Sequence, residues 1–160
     1  MIIPVIYKEW SEPEQRVLRT VADTEAAQGD LFVRKLVNAT LFRNGLYEHT
    51  ANECEEGHRH HIYVKPYRED DDPIYGHAIR TALQECCTVS EFMEAEFLLW
   101  NGIRFHPCSL RRLAPAAPLE FAQLLLDHYI VTEGHTYETV YTVYDMDRSK
   151  IVIFLKEVNA

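Results

Sequence analysis

The sequence has 160 residues, a formal net charge of −9 and 47% hydrophobic residues. A chain of this length can bury roughly two-thirds of the surface that its unfolded form exposes, so its stability requires neither a metal nor a disulfide. Its scattered basic residues and negative charge argue against direct binding to nucleic acid, and no stretch is long and apolar enough to be a membrane span.

The N-terminal stretch and the cysteines predict a cytoplasmic protein. The chain begins with apolar residues, but it lacks the basic region of a secretory signal and reaches Lys8 and Glu9 quickly. The four cysteines have no spacing typical of a disulfide framework, and adjacent Cys86 and Cys87 are poor partners for each other. We therefore expect reduced thiols.

In chain order, the hydrophobic pattern alternates short strands with helices that carry an apolar stripe. A strand is predicted over residues 1–7. A helix follows it, because Ser11 and Glu14 have the spacing of a capping box and Pro13 suits a first helical turn. Further strands are predicted at residues 62–64 and 103–105, and further helices over residues 30–41, 73–86, 90–100 and 119–129.

The clearest element is a long β-hairpin from Thr136 to Val158, in which two runs of β-branched and aromatic residues flank a short polar turn. Regular alternation places Tyr137, Tyr141 and Val143 on one face of this hairpin. If that face is exposed, its tyrosines suit a protein interface. The alternative is that helices or a second subunit, as in a homodimer, cover both faces.

Together these elements predict a single α+β domain over residues 1–160. We expect a mainly antiparallel sheet that includes the C-terminal hairpin, with about five helices packed chiefly on one face.

A histidine-rich stretch predicts a metal site. If a strand begins at His58, then His58 and His60 share a face and can hold zinc or iron, with Cys54 or a carboxylate of residues 69–72 as a third ligand. The alternative is a solvated polar strand whose histidines titrate near neutral pH.

Other catalytic patterns are incomplete or absent. Cys86 lies on an apolar stripe, whereas Cys87 and Cys108 are candidate thiols without a recognised nucleophile motif. The sequence has only 6 glycines and lacks both phosphate-binding glycine loops and the serine-hydrolase motif, which argues against nucleotide-driven and serine-hydrolase activity.

These observations favour a small acidic binding or regulatory protein that acts through protein–protein contacts. Its carboxylates at Glu69, Asp70 and Asp71, with Tyr137 and Tyr141, are the predicted contacts to a protein partner with a basic surface. The alternative is a metal-dependent hydrolase, in which a divalent metal such as zinc at His58 and His60 activates a bound water.

Overall fold

The computed structural model describes residues 1–85 and 88–158, which form a mixed sheet of ten strands and three α-helices. The strands are β1 (Ile2–Ser11), β2 (Arg16–Ala27), β3 (Ala39–Phe42), β4 (Gly45–Glu55), β5 (Arg59–Pro66), β6 (Glu94–Trp100), β7 (Phe105–Cys108), β8 (Tyr129–Thr132), β9 (His135–Asp145) and β10 (Lys150–Glu157). The helices are α1 (Gln28–Leu36), α2 (Gly76–Glu85) and α3 (Pro118–Leu126), with short 3-10 helices at Glu69–Asp71 and Arg111–Leu113. Cys86 and Cys87 lie outside the described residues.

The described residues contain the same arrangement of elements twice, once before α2 and once after it in the sequence. Each unit consists of two strands, a helix and three strands: β1, β2, α1, β3, β4 and β5, then β6, β7, α3, β8, β9 and β10. In each unit the first strand pairs in parallel with the last, and the remaining neighbours within the unit pair antiparallel. The sheet order is β2-β1-β5-β4-β3-β9-β10-β6-β7, and β8 also pairs with β9. The two units are joined by the parallel pair of β3 and β9.

The predicted C-terminal hairpin is confirmed and lies in the middle of the second unit. Strands β9 and β10 pair antiparallel, and β10 is buried on both faces. Its Val152 and Phe154 pack in the cluster that contains α2, whereas Ile151, Ile153 and Leu155 pack with α1 and α3. A strand covered on both faces needs a continuous apolar run, which is what this stretch of the sequence provides.

The prediction of about five helices packed chiefly on one face of the sheet is wrong, although the fold is broadly α+β and six of the nine strand pairs in the described residues are antiparallel. Within the described residues there are three α-helices, and they cover both faces: α1 and α3 contact each other on one side, and α2 packs on the other. The sheet is mixed, with three parallel pairs.

Two of the predicted helices are strands. The Ser11 Oγ atom does accept a hydrogen bond from the Glu14 backbone N–H at 3.2 Å, as in a capping box. However, Gln15 has a φ of 53°, so the contact closes the turn of the β1–β2 hairpin instead of starting a helix. In β6, adjacent Phe97 and Leu98 are both buried, one in each of the two clusters on opposite faces of the sheet. That alternation belongs to a strand.

The predicted helix over residues 30–41 is also too long, since α1 ends at Leu36 and the chain continues as β3. None of the helices in the described part of the chain is long and apolar enough to cross a membrane.

Candidate binding groove

On the side of the sheet that α2 covers, the described residues of the first unit include no α-helix. Residues Val5 and Tyr7 of β1 and Ile62 of β5 face the opposite side, where they pack with Leu31 of α1. The alternate residues of these strands therefore point to the uncovered side, and the register places Tyr63 of β5 directly opposite Lys8 of β1. This uncovered side is called the open face below.

A groove crosses the end of the open face, between the β1–β2 hairpin and the 3-10 helix that follows β5. It consists of three adjoining pockets of about 340, 700 and 300 Å³, which share residues where they meet. The first two share Trp10, Glu12 and Thr50, and the last two share Arg68 and Asp71. The groove is therefore continuous from Tyr63 at one end to Tyr141 at the other.

The groove is lined by more carboxylates than basic groups. Its acidic residues are Glu9, Glu12, Glu48, Glu53, Asp71 and Asp72, and its basic residues are Lys65 and Arg68. Aromatic and apolar side chains lie between these charges: Trp10, Pro13, Leu18, Tyr63, Tyr67 and Tyr141. Such a surface combines negative potential with the aromatic groups that are enriched at protein interfaces.

One end of the groove is formed by two aromatic rings, each tied to a carboxylate. The rings of Trp10 and Tyr63 are nearly perpendicular, with centroids 6.1 Å apart. The Trp10 Nε1–H group donates to Glu12 Oε2 at 3.1 Å, and the Tyr63 hydroxyl donates to Glu53 Oε1 at 3.0 Å. Burial, followed by the hydrogen bond to Glu53, raises the pKa of Tyr63, so the phenol stays protonated as the donor.

The predicted acidic contacts at residues 69–72 have different surroundings. The Glu69 carboxylate points toward α2, where it pairs with Arg80 Nε at 3.0 Å and His77 Nδ1 at 3.0 Å. Asp71 faces the groove, with Oδ2 at 4.0 Å from Lys65 Nζ. Asp70 is exposed. Only Asp71 of the three predicted acidic contacts therefore lines the groove.

Asp72, the predicted helix cap, supports the entry into α2. Its Oδ1 atom accepts hydrogen bonds from the backbone N–H groups of Ile74 and Tyr75 at 3.1 and 3.0 Å. Gly76 begins the helix, and a Cβ at that position would lie 2.1 Å from the Glu69 carbonyl oxygen. This close approach fixes the acidic turn against α2 and requires glycine.

The two tyrosines predicted as partner contacts lie on opposite faces of β9. Tyr137 is buried on the side of α1 and α3, whereas Tyr141 packs on the side of α2 and lines the groove. Their expected common face is wrong because the β9–β10 register shifts: Thr139 pairs with Leu155 and Tyr141 with Phe154, so Val140 is an extra residue in β9. Such a bulge inverts the alternation beyond it.

The histidine-rich stretch does not form one cluster. His58 lies in the β4–β5 turn instead of on the strand, so it does not share a strand face with His60. His60 is buried toward α1, where Lys35 Nζ lies 2.7 Å from its Nδ1, and exposed Cys54 is its cross-strand neighbour. Across residues 1–85 and 88–158, no group of three or more His, Cys, Asp or Glu side chains is arranged to hold a metal ion.

A buried polar network between α1 and the sheet was not predicted from the sequence. The Arg34 guanidinium donates to Thr24 Oγ1 at 2.9 Å and lies over the Tyr144 ring, while Thr40 Oγ1 lies 2.6 Å from His49 Nε2. Burial lowers the pKa of His49 to about 4 and raises the pKa of nearby Tyr7 to about 12. The His49 imidazole and the Tyr7 phenol therefore remain uncharged near neutral pH. The charged Arg34 guanidinium connects α1 to Thr24 of β2 and Tyr144 of β9.

The aromatic end of the groove was also missed, because Trp10 and Tyr63 come together only through the parallel β1–β5 pair. The available signal was an aromatic residue at the end of the first apolar run, followed by the turn residues Ser11 to Glu14.

Comparisons of the chain with known protein families, with curated proteins and with solved structures found no match.

Proposed function

We propose that this protein is a binding module that holds a basic segment of a partner protein in the groove of its open face. The observation that carries the proposal is the continuous groove, in which six carboxylates and several aromatic side chains face only two basic groups. Complementary charge steers a basic partner to such a surface and fixes its orientation.

The aromatic and apolar lining supports protein binding over simple attraction of counterions. Leu18 and Pro13 of the β1–β2 hairpin, with Trp10, supply apolar contact area on one wall. Tyr67 and Tyr141 supply it at the far end. Charged pairs at an exposed surface contribute little alone, so a stable complex needs such buried contacts beside them.

The proposal includes a regulatory role in the cytoplasm. Cys54 and Cys108 are free thiols in the described part of the chain, and a reducing compartment keeps them so. A regulatory module needs no reaction centre of its own, because its effect comes from occupying the partner's basic segment.

The direct test is fluorescence anisotropy with a labelled peptide rich in lysine and arginine, and with an acidic peptide of the same length. We expect saturable binding of the basic peptide alone, weakened as the salt concentration rises through about 0.15 M because exposed charges are screened. Replacing Glu12 by Lys should weaken binding by about tenfold or more, since a like charge then faces the peptide.

The matched control is Glu91→Lys, which makes the same change of net charge at an exposed residue outside the groove. It should leave the affinity within about twofold, because Glu91 does not line the groove and salt screens the interaction between exposed charges that are not in contact. Equal losses in both variants would mean that only net charge matters, and absence of basic-peptide binding would end the proposal.

A further inference from the structure

The pocket at the aromatic end of the groove is chemically distinct from the rest. Its lining is Trp10, Glu12, Thr50, Ala51, Glu53 and Tyr63, around a volume of about 340 Å³. Two of these six side chains are carboxylates and two are large aromatic rings, and the pocket opens into the longer groove through the shared residues Trp10 and Glu12.

The two carboxylates of this pocket are held in place by neutral donors. Glu12 accepts from Trp10 Nε1 and from Gln15 Nε2, both at 3.1 Å, and Glu53 accepts from the Tyr63 hydroxyl. Neither has an ion-pair partner among residues 1–85 and 88–158. Their positions are therefore fixed while their charges stay uncompensated.

Other carboxylates of the groove already have basic neighbours. Glu9 pairs with Arg19 Nε at 3.0 Å, and Lys65 Nζ lies 3.6 Å from Glu48 and 4.0 Å from Asp71. Of the groove carboxylates without an ion-pair partner in the described part of the chain, Glu12 and Glu53 lie together beside Trp10 and Tyr63. Asp72 lies alone at the other end, where its Oδ1 accepts two backbone hydrogen bonds. A cation that enters the groove should be held most strongly at the aromatic end.

The lining selects the kind of cation. A bound metal ion needs several oxygen or nitrogen ligands converging on one point, and the described residues offer no such group. A guanidinium group is planar, stacks on aromatic faces and donates several hydrogen bonds in its own plane, so it can use the rings and both carboxylates together. A lysine ammonium is a compact, strongly hydrated charge that uses this arrangement less well.

We infer that the pocket lined by Trp10, Tyr63, Glu12 and Glu53 holds the side chain of an arginine from the basic segment. The guanidinium stacks against an aromatic ring and donates to Glu12 and Glu53. This inference rests on the proposed function and adds a specificity to it: the partner segment is recognised through an arginine at this position, and its other basic residues occupy the remainder of the groove.

The test uses the two tryptophans of the chain as reporters. In ¹⁵N-labelled full-length protein, the Trp10 indole N–H signal reports on the pocket. The Trp100 signal is an internal control, because Trp100 packs against Tyr75 and Phe105 and lines none of the three pockets of the groove. The probes are a short peptide in which arginine alternates with serine, and its lysine and citrulline counterparts.

We expect the arginine peptide to shift the Trp10 signal saturably and to bind about tenfold more tightly than the lysine peptide, the ratio that one further charge-assisted hydrogen bond gives. The uncharged citrulline peptide should leave the signal in place. Glu12→Gln and Glu53→Gln should each reduce the preference for arginine, whereas Glu91→Gln, at an exposed residue outside the groove, should keep it.

The outcomes separate this inference from the proposed function. Equal affinity for the arginine and lysine peptides, or binding without a shift of the Trp10 signal, would overturn the arginine pocket and leave the groove as a general site for basic segments. If neither basic peptide binds, the proposed function and this inference both fail.

Discussion

Acid should destabilise this fold through His49. The residue lies on β4 and faces the side of α1, where Thr40 Oγ1 is 2.6 Å from its Nε2 and the Tyr7 ring is 6.1 Å away. Its Nδ1 is shielded from solvent and has no hydrogen-bond partner in the described part of the chain. Protonation of the folded protein would therefore place a charge in a site that solvates it poorly.

The size of the stability loss follows from the difference between the pKa of His49 in the folded protein and its pKa in the unfolded chain. Burial lowers the folded-state pKa of His49 to about 4 from the ordinary 6.5. Between these values the unfolded chain binds a proton that the folded chain does not. Stability is therefore fully present above pH 6.5 and falls as the pH drops toward 4, by roughly 1.4 kcal/mol per pH unit and about 3 kcal/mol in all.

The assay is urea unfolding at a series of pH values from neutral to about pH 4, followed by circular dichroism. His49→Gln should reduce the slope of unfolding free energy against pH by about 1 kcal/mol per pH unit, although it also lowers stability at neutral pH by removing ring packing. The matched control is Val64→Ala, because Val64 is the buried cross-strand neighbour of His49 and does not titrate. The reasoning is refuted if His49→Gln retains the wild-type slope, or if Val64→Ala loses as much of it.

Three further changes test the fold and the groove. Phe154→Ala removes a side chain with 0% exposure from β10, so it should cost about 3–5 kcal/mol in urea unfolding, and a loss below about 1 kcal/mol would contradict the burial of β10 on both faces. Gly76→Ala places a Cβ against the Glu69 carbonyl and should cost about 1–3 kcal/mol in the same measurement, whereas unchanged stability would show that the acidic turn does not lie against α2. Trp10→Ala should weaken basic-peptide binding by about tenfold in the anisotropy assay, since cation–π and apolar contacts are both removed. Its control is Phe92→Ala, which removes an exposed aromatic ring outside the groove, and similar losses from both would contradict a groove-specific role.

The elements that the sequence predicted well are those whose local pattern has one structural outcome. The C-terminal hairpin has two β-branched and aromatic runs around a polar turn, and no helix accommodates that pattern easily. The turn before α2 was predicted for the same reason, since Asp72 and Pro73 favour a helix entry.

Predictions of secondary structure were wrong where the same local interaction occurs in two different structures. The hydrogen bond from the Glu14 N–H to Ser11 Oγ would start a helix, but it also closes a hairpin turn when Gln15 takes a positive φ. No local sequence pattern predicts the parallel pairs between β1 and β5 and between β6 and β10, because each joins strands that are distant in the sequence.

The groove depends on the same distant pairing. Trp10 and Tyr63 belong to different strands, and only their register brings the rings within 6.1 Å of each other. The bulge at Val140 likewise decides that Tyr141 reaches the groove while Tyr137 is buried on the other side. Neither the register nor the bulge could be predicted from composition or periodicity, although the aromatic and acidic residue types themselves were visible.

Chemical-shift mapping of ¹⁵N-labelled protein during titration with an arginine-rich peptide tests the binding groove most directly. We expect the backbone amides of the groove residues Trp10, Glu12, Glu53, Tyr63 and Asp71 to shift together and saturably, while those of α1 and α3 on the opposite face stay in place. Shifts centred on α1 and α3, or none along the groove when the peptide binds, would contradict it.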